Sequence, residues 1–88
     1  MTALYQKKFL KDLAIIPSER RIQIEQFVFE DVPKLASIFD CGKVEQMSGY
    51  PGYYKIRFGN YRVGIRIVDN AVSFERVLHR KEIYRYFP

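Results

Sequence analysis

The sequence holds one cysteine, one histidine and no tryptophan. A lone Cys41 excludes an internal disulfide framework and a thiolate zinc cluster. A lone His79 excludes a histidine-built metal site and any triad needing a second imidazole. No apolar run approaches the roughly 18 residues of a membrane-crossing helix. The start, Met1-Thr-Ala-Leu-Tyr-Gln-Lys-Lys, has no apolar h-region of the secretory kind. No metal, cofactor or membrane partner is therefore expected, and the expected compartment is the cytoplasm. Acidic residues are in the minority, with 10 Asp+Glu against 15 Lys+Arg, a formal net charge of +5. That balance points to a polyanionic partner rather than an acidic substrate.

What is present is enough for one domain, residues 1–88. Hydrophobic residues make up 48% of the chain and aromatic ones 16%, enough to build a core and to set disorder aside. The charge is unevenly spread. Residues 1–44 carry seven Lys/Arg and six Asp/Glu, whereas residues 45–88 carry eight against four, together with six of the seven tyrosines. The C-terminal half is thus both basic and aromatic, and those two ingredients hold phosphates and stack bases.

The first half reads helical. Phe9, Leu13 and Ile16 recur at helical spacing, joined by Leu10, with Lys7, Lys8, Lys11 and Asp12 on the other side. Pro17 breaks this run, and Ser18 is the expected N-cap of a second helix from Glu19 to about Asp31. Val32, preceding Pro33, is expected to leave the α region, and Pro33 to open a short turn over 34–39. Residues 40–43 read as a loop.

The second half changes period from 3.6 to 2. Residues 53–58, 61–68 and 71–78 read as strands, joined by Gly59-Asn60 and Asp69-Asn70, residues that tolerate the positive φ of tight hairpins. The predicted fold is α+β, with two N-terminal helices packed on one face of a small antiparallel sheet and a short basic tail over 80–86. Met1–Tyr5 is a possible edge strand.

Two-residue turns fix the register: Arg57 faces Arg62, Lys55 faces Gly64, Val72 faces Ile67 and Phe74 faces Ile65. Tyr54, Ile56, Phe58, Tyr61, Val63, Ile65 and Ile67 then share the core face. Lys55, Arg57, Arg62 and Arg66 collect on the opposite face beside Tyr53, relieved mainly by Glu75. Like charges opposite one another weaken a sheet, so this cluster is a cost without an evident structural return. Gly64 at its centre reads as room for a ligand to approach the backbone. Arg76 falls on the nominal core face, which calls for a bulge or a snorkelling side chain.

Several stretches together resemble the RelE/ParE toxin superfamily, on its RelE-like side. They are Phe9-Leu10-Lys11-Asp12-Leu13, the loop Met47-Ser48-Gly49-Tyr50-Pro51-Gly52, the hairpin Tyr54 to Gly64, and the ending Val77-Leu78-His79-Arg80-Lys81-Glu82-Ile83-Tyr84. The resemblance implies a βααβββ microbial-ribonuclease-like fold and a toxin of a type II toxin–antitoxin module. RelE-like members cleave mRNA in the ribosomal A site and are neutralised by a cognate antitoxin. Carried over, the family's basic pair falls on Lys55 and Arg57, its arginine after the turn on Arg62, and its C-terminal arginine and tyrosine on Arg80 and Tyr84.

Cleavage by the RNA's own 2′-OH requires a base, cations for the phosphorane and an acid for the 5′-oxygen. Arg57, Arg62 and Arg80 are expected to hold the phosphate, Lys55 to exchange a proton, and Tyr84 to stack on a base or move a proton. Arg66, Lys81, Tyr53 and His79 are expected RNA contacts, with His79 a second acid–base candidate. The alternatives are a ParE-like gyrase poison and a non-catalytic RNA-binding module.

The second helix is unusually apolar. Its hydrophobic residues spread over roughly 220°, against the roughly 100° stripe that one core contact needs. Ile24, Val28 and Val32 are expected to form a surface for the apolar face of a small, acidic, helical antitoxin. The complex would then bind its own operator through the antitoxin.

Overall fold

The computed structural model describes residues 1–88. The elements in chain order are strand β1 (Thr2–Tyr5), helix α1 (Lys7–Ala14), helix α2 (Ser18–Glu25), strands β2 (Val44–Gln46), β3 (Tyr53–Phe58), β4 (Tyr61–Val68) and β5 (Ala71–His79), and a last turn of helix, α3 (Ile83–Tyr86). The five strands form one sheet in the order β1-β5-β4-β3-β2. The α+β class stands as expected, with two refinements. The edge strand forms, but it runs parallel to β5, so the sheet is mixed. A strand unforeseen in the sequence, β2, forms the other edge, antiparallel to β3.

The hairpin registers are those expected from the two-residue turns. Arg57 lies opposite Arg62, Lys55 opposite Gly64, Ile67 opposite Val72 and Ile65 opposite Phe74. Gly59 and Asp69, the first residue of each turn, take the positive φ. The register shifts between Gly64 and Ile65: Ile65 pairs with Phe74 and Gly64 with Arg76, leaving Glu75 as the extra residue of a β-bulge. The bulge takes Arg76 off the core face. Its guanidinium donates to both oxygens of Asp12 at 2.7 and 3.1 Å, and Asp12 also accepts the Val77 N–H at 3.2 Å. This carboxylate covers the free edge of β5 beyond the reach of β1, and its bond raises the Arg76 pKa above the usual arginine value. It is the only ion pair in the molecule.

One face of the sheet carries the main core, where Ile56, Val63, Ile65, Val72, Phe74 and Val77 meet Phe9, Leu13 and Ile16 of the first helical segment. Leu10, expected to join that stripe, is instead exposed. Pro17 rather than Ser18 occupies the N-cap of α2, and no side chain caps it. From Gln26 to Asp31 the helix winds with wider, π-type turns, and a 3₁₀ turn over Val32–Lys34 follows. Val32 stays in the αR region despite Pro33 behind it, and the chain turns extended only at Leu35. In an i→i+5 winding the donor returning to the Val28 carbonyl would be residue 33, a proline without an N–H. Tyr5 Oη supplies the donor instead, at 2.6 Å, tying β1 to this stretch. Burial, with the Glu30 charge adding to it, raises the Tyr5 pKa. The expected turn over 34–39 lies further on, at Ile38–Cys41, where Ser37 and Asp40 form a capping box.

The wider winding overturns the expected antitoxin surface. An α-helix drifts by about 40° every four residues, and π-type turns reverse that drift. Ile24, Val28 and Val32 therefore stay aligned on the core and are completely buried. Only Ile22 and Phe29 of this stretch's large apolar residues remain exposed. Val28→Glu should accordingly unfold the free protein, at a cost on the order of 3–5 kcal/mol for an uncompensated buried charge. Thermal denaturation followed by circular dichroism tests this; a variant melting with the parent would return Val28 to the surface.

Candidate functional site

The second face of the sheet is not open. A small separate core forms there from Met47, Ile83 and Phe87, with Tyr53 and Leu78 packed against it. Leu78 reaches this face because the bulge places it opposite Arg62. Ile83 is fully buried and Phe87 nearly so, and the Phe87 N–H returns to the Ile83 carbonyl at 2.8 Å. Gly64 makes room for this tail. A Cβ on Gly64 would stand 2.7 Å from the Phe87 ring. The space expected for a ligand at Gly64 is therefore occupied by the protein's own phenylalanine.

With Ile83 and Phe87 anchored, the three residues between them are exposed, and Tyr84, at 62%, is the one that meets Lys55. Lys55 Nζ donates to Tyr84 Oη at 2.5 Å and lies 4.7 Å from the centre of its ring. The pair sits in a cleft of about 450 Å³, also lined by Gln46, Met47, Ser48, Tyr50, Arg85 and the tail residues Phe87 and Pro88. Tyr50 is half exposed and offers a second aromatic surface in the same cleft. A larger cleft of about 590 Å³ lies between the tail and the start of α1, but it does not contain the Lys55–Tyr84 contact.

The remaining expected residues divide into three groups. Arg57 follows Lys55 by two positions on β3, so it projects from the same face and is exposed. Arg80 and Lys81 are exposed just past β5, and the Arg80 N–H donates to the Asn60 carbonyl at 2.7 Å, holding the chain end to the β3–β4 turn. Arg66 lies 5.8 Å over the ring of its register partner Tyr53, which meets Phe87 edge-on. None of these cations has a carboxylate partner. Glu75, expected to relieve them, accepts from Ser73 Oγ instead.

Arg62 and His79 depart from expectation. Arg62 is buried, and its Nη1 donates to the Gly59 and Tyr61 carbonyls at 2.7 and 3.0 Å. Its guanidinium braces the β3–β4 turn rather than standing free toward a ligand. His79 lies opposite Tyr61, whose ring it meets edge-on, and lines a small apolar hollow with Ile15 and Ile16. It therefore faces the helical side, and its Nδ1 accepts from the Lys81 N–H. The alternation that put Lys55 and Arg57 on one face puts His79 on the other. Tyr50, Gln46 and Arg85 are the cleft residues that sequence reasoning missed. The only signal for Tyr50 was its place in the loop Met47–Gly52 that carries part of the family resemblance. No group of three or more His, Cys, Asp or Glu side chains converges anywhere, and no helix is long and apolar enough to cross a membrane.

Comparison with known proteins points to one toxin family. A family model described as the ParE toxin of type II toxin–antitoxin system, parDE, matches residues 3–84. The chain belongs to the RelE/ParE superfamily of type II toxins. Among curated relatives of this superfamily, Toxin RelE3 of Methanocaldococcus jannaschii is 42% identical over the full length of both chains. The solved RelB–RelE antitoxin–toxin complex from Methanococcus jannaschii matches with a TM-score of 0.79 at 41% identity, covering 97% of this chain and 99% of that one. The RelBE2 toxin–antitoxin complex from Mycobacterium tuberculosis shares the fold, with a TM-score of 0.70 at 24% identity over 90% of this chain and 96% of that one.

The tail's role as a support can be tested away from the chemistry. Gly64→Ala should press on the Phe87 ring, destabilise the protein by about 1–3 kcal/mol as overpacking does, and loosen α3. Hydrogen exchange of the Phe87 amide should accelerate more than that of the main-core strands. Equal protection across both would mean that the tail does not depend on Gly64.

Proposed function

We propose that this toxin is an endoribonuclease that cuts mRNA on the ribosome, using the RNA's 2′-OH as the nucleophile. The observation that carries this reading is the Lys55–Tyr84 hydrogen bond in a cleft also lined by Arg85, on the sheet face that Arg57 shares with Lys55, where no cation has an acidic partner. In the reaction the O2′–P bond forms and the P–O5′ bond breaks, so a proton must leave O2′ and one must reach O5′. Tyr84 protonates O5′ as Lys55 passes it a proton along the existing hydrogen bond. Lys55 takes the 2′-OH proton in its place. Charge and protons balance without a further co-reactant.

Arg57 and Arg80 approach the non-bridging oxygens, where charge grows as the phosphorane forms. Arg62 is a positioning residue, fixing the turn that leads from Arg57 and receives the Arg80 backbone. Tyr50 and the Arg66–Tyr53 pair offer stacking surfaces for flanking bases, and Lys81 a phosphate contact. The partner in the resting state is a small, acidic, helical antitoxin that covers this cationic face, and the complex binds its operator through the antitoxin. The relatives solved as antitoxin–toxin complexes support that partnership.

One observation favours a second reading, in which the toxin poisons DNA gyrase: the matching family model carries the ParE description. The Lys55–Tyr84 pair favours the nuclease, because a gyrase poison needs no proton relay. Translation arrest without DNA damage after induction supports the nuclease, and the reverse supports the gyrase reading.

Tyr84→Phe keeps the ring and removes the proton carrier, so single-turnover cleavage of mRNA on programmed ribosomes should fall by about 10²–10⁴-fold. Lys55→Met should fall similarly, and the double variant little further, since the two act as one unit. Wild-type rates in Tyr84→Phe would remove the relay.

A further inference from the structure

A second cationic groove lies at the end of the sheet, between α2 and the β3–β4 turn. It measures about 440 Å³ and is lined by Arg20, Gln23, Gln26, Phe27, Asp31, Lys43, Arg57, Phe58 and Gly59. Arg20, Lys43 and Arg57 converge there from three separate segments. Strand β2 begins only at Val44, opposite Ile56, so no strand covers Arg57 on that edge.

Two of the three cations are held in place by neutral contacts. The Arg20 guanidinium lies against Gly59, where any Cβ would overlap it. Its Nη1 donates to Gln23 Oε1 at 2.7 Å, leaving other donors free. Lys43 Nζ stands 5.6 Å from the centre of the Phe27 ring and 5.7 Å from that of Phe58. Asp31, the one carboxylate lining the groove, accepts from Gln26 at 3.2 Å and pairs with none of them. Glu45, beside Arg57 in an adjoining hollow, pairs with none of them either. Three like charges thus converge with none neutralised, two of them lying against neutral groups, an arrangement that favours an anion.

We propose that this groove binds a second phosphodiester of the RNA, displaced from the scissile one and reached by the strand as it runs past Arg57 toward α2. The proposal rests on the nuclease reading for the identity of the ligand, but its residues Arg20 and Lys43 take no part in the chemistry. An acidic protein segment is the competing occupant. RNA is favoured because the ligand must be continuous with the cationic face that Arg57 shares with Lys55.

The test uses the full chain and an uncleavable 2′-O-methyl oligonucleotide, with affinity measured across a salt series. On a single strand each phosphate contact contributes about 0.7 to the slope of log K against log salt. Arg20→Ala and Lys43→Gln should each weaken binding and flatten the slope, and the double variant should lose about 0.7 in all, the contribution of one phosphate. Single-turnover cleavage of bound RNA should stay within about twofold of the parent, because neither side chain reaches the Lys55–Tyr84 cleft. Lys43→Gln, whose side chain only overlies two rings, keeps the test valid where Arg20→Ala disturbs the turn. Unchanged slopes in both variants would overturn the proposal, as would variants that weaken only the antitoxin complex. Flattened slopes in a protein that cuts no RNA would remove the nuclease reading and leave the site standing.

Discussion

The contact between Phe87 and the backbone at Gly64 is the constraint on which the site depends. A strand residue without a side chain lets an aromatic ring lie on the sheet, and that ring, with Ile83 and Met47, gives the second face a core of its own. Burial of three apolar side chains contributes a few kcal/mol before the ordering cost of the tail is set against it. That is modest stability for a one-turn helix, yet it is what holds the Tyr84 hydroxyl on Lys55. The main core on the other face fixes where the strands run, and the tail core fixes where the tyrosine stands.

The cations depend on a second economy of contacts. The molecule has many more basic than acidic groups and spends only one carboxylate on an ion pair, Asp12 with Arg76 at the bulge. That pair closes a sheet edge. The other basic side chains of the tail face rest on aromatic rings, on backbone carbonyls or in solvent, which keeps their charge available to a polyanion. A protein built to be neutralised by a partner leaves its charge in this state. Neutral supports also hold cations in fixed positions, which lowers the ordering cost when a phosphate arrives.

Much of the sheet was legible because side-chain period and turn length determine register. Two-residue turns at Gly59 and Asp69 placed every pair from Tyr53 to Phe74, and the misfit of Arg76 called for a bulge or a snorkelling side chain, of which the bulge is the one that forms. The family pattern singled out Lys55 and Tyr84 separately, but their contact was not foreseen, since no spacing rule links residues that far apart in the chain. Three things were hidden. The tail core is made of Met47, Ile83 and Phe87, isolated apolar residues in loops and a single helical turn, with no period to reveal them. The bond from Arg62 to its own turn depends on side-chain geometry that alternation does not specify. The winding of residues 26–31 changes the angle per residue, so a count at 100° spread Ile24, Val28 and Val32 over a surface when they form one buried line.

The central claim is that the RNA's own 2′-OH, served by Lys55 and Tyr84, breaks the phosphodiester bond. The chemistry of the product ends tests this most directly. mRNA cut on ribosomes by the purified toxin should carry 2′,3′-cyclic phosphate on the upstream fragment and a 5′-hydroxyl on the downstream one. Fragments bearing 5′-phosphate and 3′-hydroxyl ends would show that water, not the 2′-OH, attacks the phosphorus, and would contradict the account.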